Sequence, residues 1–115
     1  MEHITLTASD GVEIAGDFYA IPGAKRAIVL LHMMPADRKS WKTFAEKLQQ
    51  SGFDVLAIDL RGHGESVCMK REDGVKMLDY RKFSDEEHQK SILDVEAAGA
   101  FLKERDIEEV NLAGA

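Results

Sequence analysis

The reactive side chains of this sequence gather in short polar stretches, each following an apolar run. His32-Met33-Met34-Pro35-Ala36-Asp37 follows Ala27–Leu31, Asp59-Leu60-Arg61-Gly62-His63-Gly64-Glu65-Ser66 follows Val55–Ile58, and Gly114-Ala115 follows Val110–Ala113. A histidine such as His32 or His63 can serve as general base or metal ligand near neutral pH, and a serine such as Ser66 as a nucleophile once a base takes its proton. His63 between two glycines suggests a phosphate or metal loop, yet no second glycine pair completes G-x-G-x-x-G and no His or Cys stands near it at zinc spacing. The expectation for that stretch is structural, with Arg61 and Ser66 fixing the loop by hydrogen bonds. Ser66 lies in Gly-Glu-Ser-Val, without the following glycine of a nucleophile turn. Cys68 has no pattern of basic neighbours to activate its thiol. Neither a cofactor-binding nor a metal-binding residue is expected.

These stretches need elements to hold them. Ile4–Thr7 and Val12–Tyr19 carry β-branched and aromatic residues around the turn signal Asp10-Gly11, and predict an antiparallel hairpin. Ala27–Leu31 is too uniformly apolar for a strand with one wet face, so a buried strand is expected there and again at Val55–Ile58. Between them Trp41, Phe44, Ala45 and Leu48 recur at the spacing of one helical face, with Asp37 or Ser40 as N-cap and Gly52 at the end. Residues 60–83 show no sustained period and are expected to form a long, functional loop. Ser84-Asp85-Glu86-Glu87 has the form of a capping box, after which Ile92, Val95, Ala98, Gly99 and Leu102 continue one helical face; close approach of that helix to a sheet would explain Gly99. Val110–Ala113 predicts a last strand. Strands alternating with helices imply an α/β fold: a mostly parallel sheet with an antiparallel edge hairpin, whose reactive groups collect at the carboxyl ends of the strands.

With those ends in view the sequence resembles the α/β-hydrolase superfamily, and within it the single-domain esterases similar to carboxylesterases and dienelactone hydrolases. The resemblance rests on Asp59–Ser66, matching D-x-R-G-x-G-x-S, on His32, the histidine closing the strand Ala27–Leu31, and on Val110–Ala115, which looks like the strand entering the G-x-S-x-G nucleophile elbow. It implies that residues 1–115 are the N-terminal part of a single α/β-hydrolase domain ending at the nucleophile elbow, with Gly114 and Ala115 flanking a serine expected immediately after Ala115. It also implies that Met34 donates its backbone N–H to an oxyanion hole, a role indifferent to the side chain. Met33 stands where many relatives have glycine, a departure from the pattern. The side chains of Met33 and Met34 can alternatively fill a gap in the core. Because the family's catalytic base comes near the C-terminus, His32 is expected to be structural. The activity implied is hydrolysis of carboxylic esters or similar acyl bonds through an acyl-enzyme, with the triad outside these residues. Two alternatives remain: a nucleotide-binding α/β domain, in which Leu-Ala-Gly-Ala opens a phosphate turn, and a non-catalytic α/β-hydrolase-like binding module.

Composition bounds the partners. The chain has 115 residues, 44% of them hydrophobic, and a formal net charge of -6 from 21 acidic and 15 basic side chains mixed along the sequence. Nucleic acid is excluded as a partner, since phosphate backbones demand a concentrated basic face. The longest apolar run falls far short of the roughly 20 residues that span a bilayer, and the start carries no signal-peptide pattern. With a single cysteine, the expectation is a cytoplasmic protein. The expected partners are a small-molecule ester and the remainder of the hydrolase domain, on the same or a second chain.

Overall fold

The computed structural model describes residues 1–34 and 36–114. Strands β1 (Glu2–Thr7) and β2 (Val12–Tyr19) form the expected hairpin, with Leu6 opposite Ile14. The C-terminal half of β2 pairs antiparallel with β4 (Asp54–Ile58), and β3 (Arg26–Leu31) lies parallel between β4 and β7 (Glu109–Gly114). Hairpin β5 (Cys68–Arg71) and β6 (Gly74–Met77) hangs from the start of β2, where Val12 faces Met69 and Glu13 faces Cys68. The product is a mixed sheet, parallel at β4, β3 and β7, with antiparallel strands beyond.

Alternating side chains divide the interior into two layers, because successive residues of a strand point to opposite faces. Val29, Leu56 and Ile58 pack with Ile14, Phe18 and the buried row of α3 (Ile92–Lys103), whereas Leu30, Val55 and Ala57 face Ala45 of α1 (Lys42–Gln50). Strands covered on both faces must be apolar throughout, and β4 is buried at every position. Asp37 caps a 3-10 turn, Arg38–Trp41, by accepting from the Lys39 N–H at 2.9 Å, and α1 follows at Lys42 rather than at the cap. Gly52, at φ +96°, turns the chain out of α1 toward β4. Among the described residues no helix is long and apolar enough to cross a membrane.

Three expectations fail for identifiable reasons. Residues 60–83 are not irregular throughout, since β5, β6 and a 3-10 turn at Tyr80–Lys82 lie within them. The hairpin strands are short and mostly exposed, and mix charged with apolar residues, so no alternation marked them, although Asp73-Gly74, with Gly74 at φ +131°, carried a turn signal. The capping box of Ser84 and Glu87 forms, but it opens a separate short helix, α2 (Asp85–Gln89), that stops before α3. The buried row of α3 is Asp94, Ala98 and Leu102, while Ile92 is exposed and no atom lies within 4 Å of a Cβ built on Gly99. Close approach to the sheet therefore does not explain that glycine.

Among the described residues β7 pairs only with β3 and is an edge strand, with Leu112 on it 58% exposed. Free backbone groups beside exposed apolar side chains recruit further strands. Leu112→Lys should lower the light scattering of the 115-residue chain at tens of micromolar without lowering its melting temperature; unchanged scattering would clear this edge as the route of self-association.

Candidate active site

The loop after β4 is built around a buried carboxylate. Asp59 is fully buried and accepts from the Arg38 N–H at 2.7 Å, the Glu65 N–H at 2.9 Å and the Arg38 guanidinium. Its carbonyl accepts from Ser66 Oγ at 2.6 Å, and Ser66 Oγ in turn accepts from the Ala15 N–H at 2.9 Å. The Gly62 N–H closes the loop on the Ser66 carbonyl at 2.7 Å. A Cβ at Gly64, where φ is +53°, would overlap the Asp59 carboxylate. This explains one glycine of the motif by close approach and by left-handed backbone together.

Arg61 joins this loop to distant segments. Its Nε and Nη2 donate to Asp94 Oδ1 at 2.9 and 2.8 Å, its N–H donates to Asp94 Oδ2 at 2.9 Å, and Nη1 donates to Asp10 at 2.7 Å. One guanidinium thereby affects two carboxyls differently. Asp10, nearer the surface, is held below the usual carboxylate range by its hydrogen bond to Arg61. Asp94 is buried in α3, and desolvation pushes its carboxyl up despite the same partner.

The two histidines are locked by backbone groups. His32 Nδ1–H donates to the Met33 carbonyl at 3.0 Å, which leaves Nε2 to accept from the Leu60 N–H at 3.0 Å. His63 Nδ1–H donates to the Arg61 carbonyl at 3.1 Å, its ring stacks on Tyr80 at 4.1 Å, and the His32 ring meets it edge-on at 4.8 Å. Burial lowers the pKa of His63, and among the described residues nothing pairs with its Nε2. Ser66, His32 and His63 are thus buried and held in the scaffold by these bonds, as their sequence context predicts. Among the described residues no group of three or more His, Cys, Asp or Glu could hold a metal ion.

The remaining candidates lie at the carboxyl ends of β3 and β7. Met33 and Met34 are more than half exposed, so their side chains do not fill a core gap. The Ala36 N–H donates to the Met33 carbonyl at 2.8 Å, turning the chain there, and no described residue accepts from the Met34 N–H. In the parallel register Gly114 stands beside Leu31, one residue before His32. Ala115 lies outside the described residues, as does Pro35.

The profile of a family described as alpha/beta hydrolase fold matches residues 26–113. The chain is an α/β-hydrolase. Over 62 residues it is 43% identical to a non-heme haloperoxidase of Rhodococcus erythropolis, spanning 54% of this chain and 22% of that protein. Over 66 residues it is 35% identical to a bifunctional epoxide hydrolase 2 of Rattus norvegicus, spanning 57% of this chain and 11% of that one. An esterase of Pyrococcus furiosus superposes with a TM-score of 0.74 at 23% identity, over 98% of this chain and 41% of the esterase, a likeness of fold alone. The aligned part of this α/β-hydrolase thus spans about a fifth or less of the curated relatives it matches. Family membership leaves the nucleotide-binding alternative without support.

Reading the sequence of this hydrolase missed Asp10, Arg38 and Asp94. Asp94 had a signal: a carboxylate four residues before Ala98, on the row that the helix buries, needs a buried cation, and Arg61 supplies it. Arg38, in a polar loop, had none.

Two measurements probe this scaffold. Gly64→Ala should unfold the chain at a markedly lower urea concentration, by several kcal/mol of overlap and strain, whereas Gly23→Ala, at φ +79° with open space around it, should cost only about 1–2 kcal/mol; equal costs would mean that Asp59 does not hold Gly64. Because the folded pKa of His63 is lowered, the unfolded chain binds the proton more readily, so stability present above about pH 6.5 is lost as pH falls through that value toward the lowered one. In a comparison of unfolding free energies between pH 7 and 5, His63→Phe should lose less than the parent; parallel profiles would contradict the sign.

Proposed function

We propose that the complete protein is a serine hydrolase, esterase-like, acting on carboxylic esters or similar acyl bonds, and that it works in the cytoplasm. The observation that carries this is the register of β7 on β3. Gly114 beside Leu31 brings the end of β7 to the sheet edge from which His32-Met33-Met34 departs, so that a serine following Gly114-Ala115 would stand near the Met34 N–H. An elbow there needs small residues, because a strand turns sharply into a helix while holding the nucleophile exposed. Gly114 and Ala115 meet that demand.

In the proposed reaction the serine oxygen attacks the ester carbonyl carbon and its proton passes to a histidine oriented by an acid. The carbonyl oxygen becomes an oxyanion, held by the Met34 N–H and by the N–H of the residue after the serine. The ester C–O bond breaks, and the alcohol leaves with the proton from the histidine. Water then attacks the acyl-enzyme, giving its proton to the histidine, which returns it to the serine oxygen as the carboxylic acid departs. Serine, histidine and acid belong to the remainder of the domain, on the same or a second chain. His32 and the loop 59–66 contribute by fixing the course of the backbone at Met33 and Leu60.

A fluorophosphonate probe tests the nucleophile. In the protein carrying the remainder of the domain, mass spectrometry should find the adduct on the serine after Ala115; ester hydrolysis persisting with no adduct there would sink the acyl-enzyme reading. A residue without a nucleophilic side chain in that place would redirect it toward a binding module. For the oxyanion donor, Met34→Ala should keep most activity, whereas Met34→Pro, which deletes the N–H, should lower kcat by about 10²–10³. Equal losses at equal stability would remove Met34 from the site.

A further inference from the structure

A pocket of about 260 Å3 opens beside Met34, walled by Leu60, His63, Phe83, His88 and Ser91. Those residues come from the ends of β3 and β4, the segment folded back over the loop 59–66, and the start of α3, so the pocket lies on the same side as the Met34 backbone. Arg61 also borders it, but its guanidinium is spent on Asp10 and Asp94. His63 is 5% exposed, donates Nδ1–H to its own loop, and is kept neutral by burial. No free charge therefore meets a ligand from either residue. An ammonium group entering here would lose its water and find no counter-charge among these walls, a heavy cost, whereas a hydrocarbon group would gain from leaving water.

Resting on the serine-hydrolase reading, we propose that this pocket is the subsite for an uncharged hydrocarbon arm of the ester substrate. Its size is set at two points. Phe83 forms one wall and packs edge-on against His88, with ring centroids 5.3 Å apart, so the two rings together close that side. Ser91 lines the pocket with a side chain that makes no capping bond to α3, and its replacement by a larger residue narrows the space without removing a contact the helix uses. Either the acyl chain or the alkyl chain of the alcohol supplies the hydrocarbon. The walls recognise the same chemistry in both.

The test varies the two arms separately in the protein carrying the remainder of the domain. One series runs from p-nitrophenyl acetate to decanoate, the other from methyl to octyl acetate. In one of them kcat/KM should climb by up to about fourfold per methylene until the pocket is full. Ser91→Phe should move that optimum to shorter chains and His88→Ala to longer ones, each with little change for the shortest ester; the series that responds identifies the arm. Length profiles unmoved by both substitutions, in a protein that does hydrolyse esters, overturn the subsite and leave the serine-hydrolase reading standing. If no ester is turned over, the subsite still has its own readout in the 115-residue chain. 1-Hexanol should shift the His63 and His88 Cε1–H resonances, and Ser91→Phe should abolish the response. Absence of a hexanol shift, or an equal shift in Ser91→Phe, overturns the proposal.

Discussion

The Arg61 guanidinium holds together three segments that are far apart in sequence: the β1–β2 turn at Asp10, the loop after β4 and the interior of α3 at Asp94. A buried cation of this kind tolerates no loose fit. Removing one partner of such a pair typically costs about 3–5 kcal/mol, because the other charge is left without water or counter-ion. The clamp also decides which way α3 faces. With apolar residues around most of its circumference, that helix has no strong preference of its own, and the inward carboxylate of Asp94 selects the row Asp94, Ala98, Leu102.

A second buried arginine repeats the arrangement on the other side of the loop. Arg38 reaches Asp17 of β2 and Asp59 at the end of β4, while its third partner, Glu65, lies on the surface. Between these two clamps the loop 59–66 has little freedom, and the backbone bonds of His32 tie it to the turn that presents Met34. Polar side chains that invite a catalytic reading thus serve as framework. What the framework offers a substrate is backbone and an uncharged pocket.

The sequence shows the sheet clearly, because strands buried on both faces must be continuously apolar and the hairpin has its Asp-Gly turn. It also shows that Arg61, His63 and Ser66 are structural, since each lacks the neighbours its chemistry would require. The hairpin β5–β6 was hidden, as short, mostly exposed strands that mix charged and apolar residues leave no periodic trace. The orientation of α3 was hidden for a related reason: hydrophobic periodicity cannot rank faces that are all apolar, and the deciding contact lies 33 residues away at Arg61. Met34 as a donor could be approached only through resemblance, because a backbone N–H leaves no mark in residue type.

The hairpin enters and leaves the fold at one place. Val67 and Leu78 stand together at its base, where the Leu78 N–H donates to the Val67 carbonyl at 2.8 Å. Everything between them projects from the start of β2, while Tyr80 and Phe83, which pack on the loop below, lie outside the excursion. A segment whose two ends already touch can lengthen, shorten or vanish by a single insertion or deletion, with little disturbance to the chain on either side. The base of β5–β6 is therefore a natural joint for diversification, at which descendants of this scaffold could change the surface beside the start of β2 while inheriting the loop 59–66 intact.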